Sequence, residues 1–246
     1  MSTPTQASPI GIEVLATPDS VARRAAAVIA EEARAAVAGR GRFVLAVSGG
    51  HTPWVMLREL ADADLPWASI YLVQVDERVA PAGDPDRNLT HLRESLLDRA
   101  PLAAGNVHAM PVEAGDLDRA AAQYDATLEG IAGSPPELDL VHLGLGPDGH
   151  TASLVPGDPV LNVSDRDVAI TAAYQGRRRM TLTYPIINRS RRILWVVTGT
   201  EKAPALTRLV NGDKSIPAGR VRRDRAVLIA DQAAARNPPA DTGQGV

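Results

Sequence analysis

The run Asp148-Gly149-His150 sits inside a glycine-rich stretch, LGLGPDGHTASLVPG at 143–157, directly after a short apolar run at 138–143. A strand ending in several glycines lets the backbone approach a ligand closely. A histidine delivered at such a turn exchanges a proton near neutral pH. The combination predicts a small-molecule site with an acid–base group in it. Gly144, Gly146 and Gly149 also satisfy the G-x-G-x-x-G spacing of dinucleotide-binding loops. That fingerprint normally opens a fold and runs straight into a helix. Here it lies past the middle of the chain, and Pro156, Gly157 and Pro159 follow, which do not sustain a long helix. The plainest alternative is a tight turn with an incidental surface histidine.

Three further polar clusters follow apolar runs. Ser48, Gly49, Gly50, His51 and Thr52 come after FVLAV and before Pro53. A glycine turn into a helix start, with free N–H groups and two hydroxyls, is a natural anion pocket. It lacks the Walker A spacing, which points to a phosphate monoester rather than a nucleoside triphosphate. Asp76 and Arg78 follow IYLVQV, two residues apart, so a continuing strand turns both to one face and Glu77 to the other. On that face Arg78 would stabilise substrate charge and Asp76 would orient a partner; a surface ion pair is the alternative. Lys202 opens a predicted helix, where a cation conflicts with the dipole unless an anion is bound. Of Arg177, Arg178 and Arg179, alternation lets at most two face one side. Arg179 is the first candidate for phosphate and Arg178 the second. Arg87 and Asn88 stand near enough in sequence to edge the site.

The elements that must position these residues alternate along the chain. Strands are predicted at 11–16, 43–47, 70–75, 138–143, 168–171, 180–183, 193–198 and 226–230. Helices are predicted at 20–38, 53–60, 89–97, 117–131 and 202–210, with Asp19 or Ser20 capping the first and Thr52 the second. Continuous apolar strands such as FVLAV read as buried on both faces. The expected fold class is therefore α/β: an open, doubly wound, mostly parallel sheet with helices on both faces. Such sheets bind ligands beyond the strands' carboxyl ends, near the switch point, and all four polar clusters fall there. Residues 10–236 are expected to form one α/β domain, with polar, loose ends at 1–9 and 237–246.

Composition narrows the function classes. Apolar residues make up 45% of 246 and charged residues 22%, ordinary for a globular protein. No apolar run approaches the roughly 18 residues of a membrane span, and the first residues lack the pattern of a secretory signal. A net charge of −3 argues against a nucleic-acid partner. The absence of cysteine excludes disulfides and thiolate chemistry and fits the cytoplasm. The five histidines lack zinc-ligand spacing, so neither metal nor cofactor is expected. Whether the chain is a monomer or a homodimer is left open.

In order, SGGHTP, VDERVAP, RNLTHLRESLL, LGLGPDGHTASLVPG, RRRMTLTYPIIN and TGTEKAPAL resemble the successive motifs of the 6-phosphogluconolactonase family. The combination of GPDGHTASLVPG with DER is the specific part. The resemblance implies a fold shared with glucosamine-6-phosphate deaminases and, more distantly, with ribose-5-phosphate isomerases and sugar-responsive repressor domains. It implies His150 as general base, with Arg78 and Lys202 tied to substrate anions. The reaction implied is hydrolysis of 6-phospho-D-glucono-1,5-lactone, a sugar-phosphate lactone, in the oxidative pentose phosphate pathway. With no G-x-S-x-G elbow and no cysteine, direct attack by water is simpler than an acyl-enzyme. Oxyanion donors would be glycine-turn amides and Arg78, and either Asp148 or Asp76 would orient His150. One departure is His51, where the family usually has serine. The nearest rivals are deamination, whose enzymes carry Phe-Asn-Glu where this chain has Ala152-Ser153-Leu154, and a non-enzymatic sugar-phosphate sensor.

Overall fold

Every residue of the strand Phe43–Val47 is buried, and alternate side chains enter different cores. Phe43, Leu45 and Val47 join one apolar cluster, Val44 and Ala46 the other. This two-sided burial is what a period-two strand of purely apolar residues requires. The computed structural model describes residues 10–236. In chain order its strands and helices are β1 (Gly11–Leu15), α1 (Pro18–Arg40), β2 (Phe43–Val47), α2 (His51–Ala61), β3 (Ile70–Gln74) and β4 (Asp76–Arg78). Then come α3 (Asn88–Leu92), β5 (Val107–His108), α4 (Leu117–Ala132), β6 (Leu140–Leu143), β7 (Val168–Ile170) and β8 (Arg179–Leu182). The last are α5 (Tyr184–Arg189), β9 (Arg192–Val197), α6 (Ala203–Val210), β10 (Ala226–Asp231) and α7 (Gln232–Ala235).

Seven strands form a parallel sheet in the order β1-β10-β9-β6-β2-β3-β5. Helices α1 and α2, with the turn after α3, pack on one face; α4, α5 and α6 pack on the other. From β2 the chain winds outward through β3 and β5, and from β6 it winds the opposite way through β9 and β10. The reversal falls between β2 and β6, so the loops leaving these two strands flank the crevice of a doubly wound sheet. They are the Ser48–Thr52 and Gly144–His150 stretches.

A second, antiparallel sheet, β4-β8-β7, stands beyond the end of β3. The strands expected at 168–171 and 180–183 therefore do not extend the parallel sheet. Val75 is the pivot: its N–H donates to Val47 O in the large sheet, and its carbonyl accepts from Leu182 N in the small one.

Element ends differ from expectation for identifiable reasons. Helix α1 starts at Pro18, with Thr17 as cap: the Thr17 hydroxyl accepts from Ser20 N, and the Ser20 hydroxyl accepts from Thr17 N. Asp19 and Ser20 thus lie inside the first turn, where proline at the first helical position places them. Helix α2 begins at His51 with Gly50 as cap, because Thr52 spends its hydroxyl on Thr198 instead of on its own helix. The helix expected at 89–97 is α3 followed by a wider turn over Arg93–Leu97. The helix expected from Lys202 is a tight turn at Thr200–Lys202 followed by α6. No long helix follows the glycine stretch, so the dinucleotide reading has no structural counterpart. The loose ends expected at 1–9 and 237–246 lie outside the described residues.

Candidate active site

One cleft of about 330 Å³ opens at the switch point, a size at the small end of ligand sites. Its lining includes Ser48, Gly49, Gly50, His51, Thr52, Asp76, Arg78, His150, Arg179 and Lys202. Residues from four separate strand ends thus meet in one hollow. Asn88, Ala152, Thr198 and Glu201 join them.

The turn that carries the histidine is closed locally. Gly149 N donates to Gly146 O at 3.0 Å, and Gly146 N donates to His150 O at 2.8 Å. Within that turn His150 Nδ1 lies 2.6 Å from Asp148 Oδ1, which also accepts from His150 N at 3.1 Å. Burial works to raise the Asp148 carboxyl, but the His150 amide and ring outweigh it and hold the group below the usual carboxylate range. An ionised carboxylate only accepts, so the Nδ1 proton points at Asp148 and Nε2 is left as the basic nitrogen. Asp148 itself does not line the cleft; it acts on the ring from behind. The Gly146 and Gly149 amides are already bonded within the turn.

Asp76 does not touch His150. Its Oδ2 accepts from Ser153 Oγ at 2.6 Å and its Oδ1 from Asn88 Nδ2 at 3.2 Å, so it ties β4 to α3 and to the segment after the glycine turn. The sequence left the orienting carboxylate open, and the contact belongs to Asp148. Asn88 also accepts from Arg78 Nη1 at 2.6 Å, while Asp86 O accepts from the same nitrogen at 2.9 Å. These bonds fix the guanidinium and leave its buried Nε without a partner. Opposite Glu77 the alternation holds: Glu77 is fully buried on the other face. There it accepts from Gln74 Nε2 and from the amides of Arg78, Asn88 and Leu89. Arg87 is ion-paired with Glu77 at 3.1 Å and does not edge the cleft.

Arg179 is the cross-strand partner of Arg78 in the small sheet. Two cations placed opposite one another repel unless an anion lies between them. The Arg179 Nε is buried and unpartnered, and burial lowers its pKa, with Asp76 working against this and Arg78 adding to it. Arg178 points elsewhere: its Nε reaches Thr171 O at 3.4 Å. Strand alternation gives the reason, since Arg179 takes the inward side of β8. Arg177 is held by Asp84 and Asp86.

The loop after β2 differs in detail from the sequence expectation. Ser48 N donates to His142 Nδ1 at 3.3 Å and Ser48 Oγ donates to His142 O at 2.8 Å, so both Ser48 donors are spent. Burial drives His142 down to about 3, which keeps it neutral and able to accept from that amide. The free amides are those of Gly49 and Gly50, for which the described residues supply no acceptor. A Cβ on Gly49 would lie 2.0 Å from Asn88 Oδ1, so only glycine lets the loop meet the Asn88–Arg78 pair. Thr52 and Thr198 share a hydroxyl bond of 2.6 Å, which leaves one hydroxyl proton free and joins this loop to the one carrying Lys202. Lys202 sits 3.9 Å from the more exposed Glu201.

Tyr174 was not singled out from the sequence. Its hydroxyl donates to Asp148 Oδ2 at 3.3 Å, its ring meets His150 edge-on with centroids 5.7 Å apart, and Arg179 Cζ lies 5.0 Å from its ring centroid. Among the described residues no three His, Cys, Asp or Glu side chains converge as metal ligands, and no helix is long and apolar enough to cross a membrane.

Residues 16–230 match the family model described as glucosamine-6-phosphate isomerases/6-phosphogluconolactonase. The chain is 37% identical to a 6-phosphogluconolactonase of Synechocystis over 199 residues, 79% of this chain and 82% of that protein. It is 36% identical to one of Mycobacterium tuberculosis over 219 residues, 83% and 89% of the two chains. Among solved structures, 6-phosphogluconolactonase from Thermotoga maritima superposes with a TM-score of 0.80 at 27% identity, covering 90% of this chain and 98% of that one. A monomeric glucosamine-6-phosphate deaminase reaches 0.81 at 19% identity, with 92% and 99% covered, and shares the fold.

Proposed function

The chain belongs to the glucosamine-6-phosphate isomerase/6-phosphogluconolactonase family, and from that premise we propose that it hydrolyses 6-phospho-D-glucono-1,5-lactone to 6-phospho-D-gluconate. This is the second step of the oxidative pentose phosphate pathway, and the reading places the enzyme in the cytoplasm. The observation that carries the proposal is the meeting of the Asp148–His150 pair with Arg78, Arg179 and Lys202 around one cleft. An ester needs a base beside it; a phosphate monoester needs cations and free amides.

In the reaction, Nε2 of His150 takes a proton from water as the oxygen adds to the lactone carbonyl. Asp148 holds the imidazole in the tautomer this requires and stabilises the imidazolium that forms. Charge developing on the carbonyl oxygen faces Arg78, whose orientation Asn88 and Asp86 fix in advance. Collapse of the adduct breaks the bond to the ring oxygen, which receives the proton from His150, and the new acid ionises. The Gly49 and Gly50 amides, His51, Thr52, Arg179 and Lys202 hold the phosphate, so binding remote from the carbonyl orients the ring. Asp76 supports this arrangement through Asn88 and Ser153 instead of entering the chemistry. Where deaminases carry Phe-Asn-Glu, this chain turns the Ala152 methyl to the cleft and buries Ser153 and Leu154.

The test is acid release from freshly generated lactone, measured above its spontaneous hydrolysis, with ammonia release from glucosamine-6-phosphate as the control. His150→Ala is expected to lower kcat by about 10²–10⁴ with a smaller change in KM, the contribution general base catalysis typically makes. Near-normal kcat in that variant would remove His150 from the chemistry.

A further inference from the structure

We propose that Tyr174 is a positioning residue that couples the catalytic base to the anion-binding arginine, holding Asp148 with its hydroxyl and Arg179 with its ring face. The inference rests on the lactonase reading of the site and deepens it.

Asp148 stands on a turn at the cleft rim, with its side chain 36% exposed. One of its oxygens, Oδ1, is committed to His150. A carboxylate pivots broadly about its last torsion, so a single anchored oxygen does not fix the direction in which the imidazole is held. The second oxygen, Oδ2, accepts from the Tyr174 hydroxyl, and this contact removes the remaining freedom. Burial and the charge of Asp148 both make the Tyr174 hydroxyl less acidic, so it remains a donor.

Tyr174 is itself firmly placed. It begins a hairpin turn closed in both directions, Tyr174 N to Arg177 O at 2.9 Å and Arg177 N to Tyr174 O at 3.3 Å. The two central residues, Gln175 and Gly176, have φ of 52° and 79°. Two consecutive left-handed residues are the signature of the tight hairpin turn whose twist matches its strands. Arg177 then pins the hairpin to Asp84 and Asp86 in the loop before α3. Within the same hairpin Arg179 lies against the Tyr174 ring and bonds Gln175 Oε1 at 3.3 Å. One side chain therefore touches the group behind the base and the cation that receives the substrate anion. The two contacts use different parts of the residue, which makes them separable by mutation.

Tyr174→Phe keeps the ring and deletes the hydroxyl. It is expected to lower kcat about three- to tenfold, the usual range for one lost hydrogen bond, with KM unchanged. Tyr174→Leu also deletes the ring face, and it is expected to add a rise in KM of about two- to fivefold, the scale of a partly exposed cation–π contact. In an Asp148→Ala background, Tyr174→Phe is expected to cause no further loss, because its target is gone. A Tyr174→Phe enzyme with wild-type kcat overturns the inference while leaving lactonase activity standing. So does an effect that persists undiminished in the Asp148→Ala background, since that shows general loosening of the hairpin. Absence of lactone hydrolysis by the unaltered enzyme overturns the functional reading itself, and this inference with it.

Discussion

Gly146→Ala isolates the geometry on which the base depends. A Cβ at this position would lie 2.1 Å from His150 Nδ1, 2.3 Å from His150 Cε1 and 2.7 Å from Asp148 Oδ1. A carbon normally keeps about 3.5 Å from such atoms, so the imidazole must retreat by more than an ångström. A displacement of that size at the reacting group costs on the order of 10²-fold in kcat. The fold, by contrast, has little to lose. Gly146 is not among the residues with left-handed φ, and the obstructed atoms belong to side chains rather than to backbone, so the strain falls on the Asp148–His150 contact. The expectation is a fall in kcat of about two orders of magnitude with a cooperative melt and only a small loss in Tm. Gly144→Ala is the control: a Cβ there meets nothing within 4 Å, so the ring stays in place and kcat is retained. Saturation kinetics beside thermal melts decide the matter. If Gly146→Ala keeps kcat within threefold of wild type, the Asp148–His150 pair does not set the rate. If both alanines lose activity equally, the loss reflects crowding of the substrate and not displacement of the base.

Two other expectations follow from groups at either end of the β2 loop. Lys202→Ala should mainly raise KM for the phosphorylated lactone in steady-state assays, and an unchanged KM would count against its role as an anion ligand. His142, held near 3 against an ordinary 6.5, is neutral in the folded protein but takes up a proton when unfolded. Its contribution to stability is therefore complete above pH 6.5 and declines as pH falls toward 3, by a few kcal/mol in all. Denaturant titrations between pH 7.5 and 5 should show a steeper loss in wild type than in His142→Asn, which keeps an acceptor for the Ser48 amide; parallel slopes would refute this.

The strand and helix series was legible because most predicted strands are short, mainly apolar or β-branched stretches set between longer Ala-, Arg- and Leu-rich segments. Double-sided burial of FVLAV and ILWVV followed from their lack of polar alternation, and α1 was visible from its length alone. What periodicity does not encode is partner choice. The residues at 168–171 and 180–183 read correctly as extended, yet they pair with each other in a separate sheet, whose β8 meets Asp76–Arg78 across just over a hundred residues of chain. Val107–His108 is too short to leave a pattern. Residue type picked out His150, Arg78, Arg179 and Lys202, which the fold brings to one cleft, and also Arg178, which it turns away. Ser48 misled, since nothing local shows that His142 consumes its amide and hydroxyl. Tyr174 left one usable signal, the Gln175-Gly176 pair between two extended segments, which marks a tight hairpin and so brings residue 174 close to 179.

The division of labour between the two sheets explains why so much buried polar structure surrounds this cleft. The large parallel sheet supplies the amides of Gly49 and Gly50, His150 and the Lys202 loop from its switch point. The small antiparallel sheet supplies Arg78 and Arg179. The proposed reaction requires a fixed distance between these sets, but among the described residues Val75 is where the chain passes from one hydrogen-bonding system to the other. Rigid coupling must then come from side chains. Glu77 supplies it below the site by gathering Gln74, Arg87, the Arg78 amide and two backbone amides at the start of α3. Asp76 does so at the floor, through Asn88 and Ser153, and Tyr174 at the rim, through Asp148 and Arg179. Each of these is costly to bury unless fully satisfied, so their concentration along the seam between the sheets is what holding two independently built half-sites in register demands.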